Sequence, residues 1–381
     1  VKFVCAKSVF QGREAFSTLG DTLVLADGAI NADDVVCADG LIIRSKTEVN
    51  QGLVDGSRLR FVGTATAGTD HLDLEWLGKR GIVSTSAPGC NANSVAEYVI
   101  TALLVVADRY QMNLRDMTIG IIGVGHVGSL LAEKCRLLGM NVMLNDPPRH
   151  DATRDCAFQP LEDLLTHANV ISLHVPLTRE GRYPTYHLAD CRFFAALKQG
   201  TLFLNTSRGA VVESEALQMA LERGQVTRCI LDVWEAEPAP ERELLRRAEL
   251  ITPHIAGYSL DGKLRGTEMI YQQACHFFEV ECTWQPEHLP QPEPPLITLD
   301  ARGLSRQEAL CRIVRRACDI ERDDRLLREA LELDDAAAAE RFVQLRAGYP
   351  VRREFAAFSV QLENAPDALR EQVSGLGFQM V

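Results

Sequence analysis

The stretch Ile119-Gly-Ile-Ile-Gly123-Val-Gly125-His-Val-Gly128 limits what this chain can fold into more than any other segment. An apolar strand runs into closely spaced glycines, and a helical pattern, Val127–Leu138, begins among them. The first glycine permits a tight turn, the second lets backbone approach a pyrophosphate, and the third lets helix and strand pack closely. The helix N-terminus adds N–H groups and partial positive charge for the phosphates. The next strand ends in Asp146. A carboxylate there can accept from both adenosine-ribose hydroxyls and repels a 2′-phosphate, which favours NAD over NADP.

The surroundings of this loop carry the same pattern. Thr118–Ile122, Asn141–Asn145, Val170–His174, Leu202–Asn205, Arg228–Asp232 and Leu250–Thr252 are strand candidates. Leu161–His167, Ala189–Leu197 and Glu213–Arg223 are helical stretches among them. Such alternation predicts an α/β fold, a parallel sheet covered by helices on both faces. Ahead of it, Val1–Cys5, Thr22–Leu25, Leu41–Ile43, Arg60–Gly63 and Ile82–Ser84 read as buried parallel strands. A long helix is expected from Ser94 to Arg109, capped by Asn93 or Ser94 and buried along its apolar length. Ser259–Glu281 reads as one helix that returns to the first domain. Gln285–Pro295 is a proline-rich connector. Beyond it, Ser305–Ile320, Asp324–Glu332 and Ala336–Ala347 have helical periodicity, with a strand near Val360. The expected architecture is a Rossmann NAD-binding domain inserted in a flavodoxin-like substrate domain, followed by a small α+β C-terminal domain. Its boundaries are 1–93 and 258–284 for the substrate domain, 94–257 for the NAD domain and 285–381 for the last, with the active cleft between the first two domains.

Three strand ends carry the chemistry. In doubly wound sheets, ligands lie beyond the carboxyl ends of the strands. There stand Asn205-Thr-Ser-Arg208-Gly209, then Asp232-Val-Trp-Glu235-Ala-Glu237, then Pro253-His254-Ile-Ala-Gly257. The planar fork of Arg208 suits a carboxylate or a 2-oxo acid. A proton must leave a hydroxyl when hydride leaves the same carbon. His254 is the natural base, and a carboxylate can orient it and stabilise its cation. Arg44, beside Ser45, offers charge for a phosphate or serves as a solvated loop arginine. Cys90 reads as a packing residue, since hydride transfer needs no nucleophile.

In the order and spacing of these motifs, from about Arg44 to Arg265, the chain resembles the D-isomer-specific 2-hydroxyacid dehydrogenase superfamily. The resemblance implies Arg208 as substrate-binding arginine, Glu237 as its catalytic glutamate and His254 as acid/base. It also implies that His126, Val127, His174, Val175, Pro176, Thr206, Ser207, Asp232 and Gly257 line the cofactor, with Gly123, Gly125, Gly128 and Asp146. Ser45, Thr66 and Tyr258 become substrate contacts. Within the superfamily, Phe61-Val-Gly-Thr-Ala-Thr-Ala-Gly-Thr-Asp-His-Leu-Asp73, Asp146-Pro-Pro-Arg149 and Tyr349-Pro-Val-Arg-Arg-Glu354 are most similar to the branch that oxidises 4-phospho-D-erythronate in vitamin B6 biosynthesis. The opening Val1-Lys-Phe-Val-Cys-Ala-Lys-Ser departs from that branch's acidic start. Competing readings are a dehydrogenase of 3-phosphoglycerate or another D-2-hydroxy acid, and a non-enzymatic NAD-sensing corepressor.

Charge and cysteine usage narrow the partners. A formal charge of -12 disfavours nucleic acid and anionic membranes. The apolar run Val99–Ala107 is too short to span a bilayer. The 11 cysteines form no CxxC pair and read as reduced thiols of a cytoplasmic protein without a metal site. The surplus C-terminal domain is expected to pair two copies into a homodimer, as in the resembled family. Its Arg346, Arg352 and Arg353 are candidates to approach a substrate phosphate.

Overall fold

The computed structural model describes residues 1–381, which divide into two compact units: 1–92 with 259–290, and 93–258 with 291–381.

The first unit is built on five parallel strands, β1 (Lys2–Ala6), β2 (Asp21–Leu25), β3 (Gly40–Ile43), β4 (Phe61–Thr64) and β5 (Val83–Ser86). Their order is β2-β1-β3-β4-β5, the flavodoxin-like arrangement. Every residue of β3 and β4 is buried, which is why both read as unbroken apolar runs. The Leu260–Phe278 helix belongs to this unit, as its return predicts, and Ser259 caps it through the Gly262 N–H. It lies close on the sheet. A Cβ at Gly63 would stand 2.4 Å from the Ile270 side chain, and one at Gly266 would stand 2.9 Å from the Ala65 carbonyl.

The second unit holds β6 (Thr118–Ile122), β7 (Asn141–Asn145), β8 (Val170–Leu173), β9 (Thr201–Asn205), β10 (Val226–Leu231) and β11 (Leu250–Ile251). The order is β11-β10-β9-β8-β6-β7, all parallel. Beyond β7, a single bridge between Leu144 and Phe158 stands where a doubly wound dinucleotide sheet has another strand. The order reverses between β6 and β8, so the glycine loop after β6 lies at the switch point.

The long helix runs Ala92–Arg109, starting earlier than its expected cap. Asn93 and Ser94 therefore lie inside it, and their side chains reach Glu354 instead of capping. From Tyr98 to Val106 it is wholly buried. One apolar core joins this helix, the nucleotide sheet and the C-terminal residues Ile297, Leu310, Val314 and Phe355.

The C-terminal segment forms a parallel sheet of β12 (Leu296–Asp300), β13 (Ser359–Glu363) and β14 (Gln379–Met380), with helices around it. The strand at Val360 is β13. The helix expected over Ser305–Ile320 ends at Ala317, and a new one starts at Ile320 with Asp319 as cap. The helices at Asp367–Leu376 and Pro147–Thr153 are additional to those expected, the first although Leu369, Val373 and Leu376 recur at helical spacing.

Candidate active site

The glycine loop is shaped by its neighbours. Gly123 has φ +87°, and a Cβ there would meet the His174 carbonyl at 2.7 Å. Gly128 is the packing glycine: its Cβ would lie 2.1 Å from the Gly123 oxygen. At Gly125 nothing stands within 4 Å, so the loop leaves open space where a pyrophosphate approaches. The helix then begins at His126, with the His126 and Val127 N–H groups in its first turn. Asp146 closes the other side. Its Oδ2 accepts the Val124 N–H at 2.8 Å, and its Oδ1 caps the following helix through the Arg149 N–H at 3.0 Å. Each oxygen retains a lone pair for a ribose hydroxyl.

His174 ends β8 against the loop, its Nε2 2.8 Å from the Ser172 hydroxyl. Burial drives its pKa down to about 3, so it is a neutral ring that packs and hydrogen-bonds. Val175 and Pro176 continue this edge; the Val175 methyl lies 2.8 Å from a Cβ built on Gly123. Thr206 is buried and its hydroxyl has no protein partner, an orphan that a bound cofactor can satisfy. Ser207 donates to Asn205 Oδ1 through both backbone and hydroxyl, which fixes the turn that carries Arg208. Open space at Gly125, the orphan Thr206 and an acid at the end of β7 together fit a dinucleotide.

Glu237 and His254 meet. His254 Nδ1 is 2.8 Å from one oxygen of Glu237 and 3.1 Å from the other. Burial raises the Glu237 carboxyl. The His254 bond and charge, the Trp234 N–H and the Arg346 charge outweigh it and hold the group below its ordinary value. An ionised carboxylate only accepts, so Nδ1 carries the proton and Nε2 is the basic nitrogen. Arg208 follows β9, the neighbour of β10, which precedes Glu237; β11, ahead of His254, lies on the far side of β10. Its Nη1 donates to the Ser207 carbonyl at 2.8 Å, and Asn205 Nδ2 holds its own carbonyl at 2.9 Å. Gly209 packs so tightly that a Cβ would overlap the Trp234 carbonyl.

His254 has φ +58°, the left-handed region that a β-carbon disfavours. What holds it there is Asp232. The Asp232 carbonyl accepts the His254 N–H at 2.7 Å. Its side chain accepts from Ile255 N–H at 2.7 Å, Ala256 N–H at 3.0 Å and the Thr252 hydroxyl at 2.7 Å. Burial raises the Asp232 carboxyl, against the His254 charge and these bonds. Tyr98 donates to the Thr252 hydroxyl at 2.7 Å, and the Trp234 indole donates to the Thr252 carbonyl at 3.1 Å. Asp232, expected beside the cofactor, is thus also the anchor of the histidine turn. Thr252 opens the Thr-Pro-His-Ile-Ala-Gly stretch, but sequence reasoning gave it no role and missed Tyr98 altogether. A tyrosine in the apolar stretch of a long helix was the available signal, since a buried tyrosine needs a partner.

Gly257 and Tyr258 end the second unit's central segment. Tyr258 stands edge-on to Tyr349 with ring centroids 6.2 Å apart, and the Arg346 guanidinium lies 5.6 Å from its ring. In the first unit, Arg44 and Ser45 follow β3, and Thr66 follows β4, all at the carboxyl edge of that sheet. Thr66 donates to the Gly68 carbonyl at 2.9 Å and lies 2.8 Å from the Thr64 hydroxyl. Lys263, in the first turn of the Leu260–Phe278 helix, joins this edge. Burial, then Arg44 and Lys46, push its ammonium down to about 8. Sequence alone gives Lys263 no role, because only the return of its helix to the first unit brings it near Arg44.

Residues 104–256 match the NAD-binding domain of D-isomer specific 2-hydroxyacid dehydrogenases. Residues 289–377 match a family described only as a domain of unknown function. The erythronate-4-phosphate dehydrogenase of Edwardsiella ictaluri is 42% identical over 379 residues, covering 99% of each chain. That of Proteus mirabilis is 39% identical over 382 residues, again 99% of each. The chain belongs to the erythronate-4-phosphate dehydrogenase family. Among solved structures, D-lactate dehydrogenase from Aquifex aeolicus, complexed with NAD and lactic acid, superposes with a TM-score of 0.58 at 27% identity. It covers 73% of this chain and 95% of its own. The NAD-bound 3-phosphoglycerate dehydrogenase of Entamoeba histolytica has a TM-score of 0.62 at 24% identity, over 73% of this chain and 95% of its own, and shares the fold. The protein is an NAD-dependent 2-hydroxyacid dehydrogenase, and its glycine loop lies within the matched NAD-binding domain. No helix is long and apolar enough to cross a membrane.

Proposed function

We propose that this enzyme oxidises the 2-hydroxyl of 4-phospho-D-erythronate to give 2-oxo-3-hydroxy-4-phosphobutanoate, a step of pyridoxal 5′-phosphate biosynthesis. The observation that carries the chemistry is the His254–Glu237 pair, 2.8 Å apart beside the end of Arg208's strand. NAD, when bound, accepts the hydride from C2. His254 Nε2 takes the proton of the same hydroxyl. Glu237 keeps Nδ1 protonated and stabilises the imidazolium that results. Arg208 holds the carboxylate and polarises the forming carbonyl with a planar, permanently charged fork. Gly123, Gly125, His126, Val127 and Gly128 cradle the pyrophosphate. Asp146 takes the adenosine ribose, His174, Val175 and Pro176 its surroundings, and Thr206, Ser207, Asp232 and Gly257 the nicotinamide end.

Ser45, Thr66 and Tyr258 contact the substrate. Its phosphate is met by Arg44 with Lys46 and Lys263, whose like charges crowd one edge of the first unit. Such crowding of cations in a chain of net charge -12 is relieved by a dianion. Arg352, also a candidate for this phosphate on sequence, is instead buried and bonded to backbone carbonyls. The enzyme acts in the cytoplasm as a homodimer without nucleic acid or membrane. Its 11 cysteines, odd in number and without a CxxC pair, are the sequence feature behind the reading of a reducing compartment. A cofactor-reduction assay across phosphorylated and unphosphorylated 2-hydroxy acids tests the substrate assignment. Preference for 4-phospho-D-erythronate is expected, and equal or better turnover of 3-phosphoglycerate overturns it.

A further inference from the structure

Arg352 is 7% exposed, on the coil that follows the Asp335–Ala347 helix. Its Nη2 donates to the Ala256 carbonyl at 2.7 Å and to the Ser94 carbonyl at 2.9 Å. Its Nη1 lies 3.9 Å from the Cys318 sulfur. A guanidinium persists in a core only where hydrogen bonds and counter-charge compensate its lost hydration. Beside it lie two buried acids, Glu97 and Glu354, bridged by Asn93 Nδ2 at 2.9 Å from each; burial, then Glu354, push the Glu97 carboxyl up to about 8, so the pair offers less than two full negative charges at neutral pH. Ser94 Oγ binds Glu354 at 2.7 Å, and the Phe355 N–H binds Glu97 at 3.0 Å. Such a cluster is expensive to bury, and a merely apolar contact would dock the segment without it.

What the cluster reaches is the histidine turn. Ala256 is two residues beyond His254. The N–H groups of 254, 255 and 256 are all held by Asp232 from the sheet side. The Ala256 carbonyl is held from the C-terminal segment by Arg352. The same segment sends Asp324 Oδ1 to the Ile251 N–H at 2.9 Å, just ahead of the turn. We infer that Arg352 is a positioning residue for hydride transfer. By clamping the Ala256 carbonyl between the long helix and the C-terminal segment, it fixes the turn that aims His254, and so gives residues 289–377 a part in catalysis within their own subunit. The inference rests on His254 being the proton acceptor.

The charged groups of this unit that face His254 are Glu237 and Asp232, with Arg346 beside Glu237. When the turn loosens, His254 Nδ1 moves off the Glu237 carboxylate, which then supports the imidazolium less well. The full chain carrying Arg352→Met or Arg352→Lys is compared with Lys134→Met. That control removes another buried cation, on the His126–Leu137 helix, whose Nζ donates to the Leu376 carbonyl of the C-terminal segment at 2.7 Å. For Arg352→Met, kcat should fall about tenfold or more, with NAD affinity within about threefold. The acid limb of the kcat profile should move down by about half a pH unit. Arg352→Lys, which retains the charge with one compact head, should recover part of the rate. Lys134→Met should lose thermal stability without moving the limb. If Arg352→Met does not fold, Arg352→Lys is read by the same criteria against wild type. An unchanged kcat and limb, or the same shift in Lys134→Met, overturns the inference. A His254→Asn enzyme that still turns over overturns the reading beneath it; an inactive His254→Asn with unperturbed Arg352 variants overturns this inference alone.

Discussion

The proposed chemistry rests on one side chain held in an unfavourable backbone conformation. His254 sits at φ +58°, and three Asp232 bonds to consecutive N–H groups keep it there. Replacing His254 by Asn retains the local preference for that conformation but removes the base. Turnover should drop by about two powers of ten or more while NAD still binds, as seen in single-turnover rates and a binding titration. Asp232→Asn replaces an oxygen acceptor by an NH2 group facing an N–H or hydroxyl donor. A loss of about 1.5–3 kcal/mol of stability is expected from calorimetry, with a lower kcat. Lys263 gives a pH signature of another kind. Its folded pKa, about 8, is below the ordinary lysine value, so its charge is lost as pH rises through that region. KM for the phosphorylated substrate should therefore rise above about pH 8, and KM for unphosphorylated D-erythronate should not. Equal pH dependence for both would place the phosphate elsewhere.

At the level of strands, helices and loops, the glycine loop separates packing from binding. Gly128→Ala puts a methyl on the Gly123 carbonyl and should cost about 1–3 kcal/mol of stability. Gly125→Ala adds a methyl to open space at φ -79°, so stability should stay within about 0.5 kcal/mol while NAD affinity falls. Calorimetry and titration of both variants check the division. The strands were legible because strands buried on both faces have no polar alternation to confuse, as in β3, β4, β8 and β9. The Arg–Glu–His series was legible because each residue sits where a strand ends. The supporting hydrogen bonds were not. Tyr98 and Thr252 are far apart in sequence, and only the packing of the long helix on the sheet joins them. The break expected after Ile320 lies a few residues earlier, at Cys318-Asp319; both flanking helices keep apolar stripes, and no glycine or proline marks the stop. The Pro147–Thr153 helix carries no apolar stripe to announce it; its first turn accepts both prolines, and Asp146 caps that turn.

For the molecule as a whole, the C-terminal segment is part of the nucleotide unit's core. Tyr98–Val106 share that core with Ile297, Leu310, Val314 and Phe355. Truncation after Pro290 would strip this cover, so the shortened chain is expected to lose cooperative unfolding and expose apolar surface to a hydrophobic dye. A truncated protein with a wild-type melting transition would refute that. The homodimer is tested on the intact chain, by sedimentation at micromolar concentration, where twice the 42.1 kDa of one chain is expected and a monomer contradicts the assignment. Every role assigned above depends on the reaction itself, which is read in the initial rate of NAD reduction by the intact enzyme. The panel is 4-phospho-D-erythronate, D-erythronate and 3-phosphoglycerate, with His254→Asn run in parallel. The phosphorylated four-carbon acid should be turned over with the highest kcat/KM, and the variant should be slower by about a hundredfold. Absence of turnover on any of the three, or a wild-type rate in the variant, would contradict the proposed reaction.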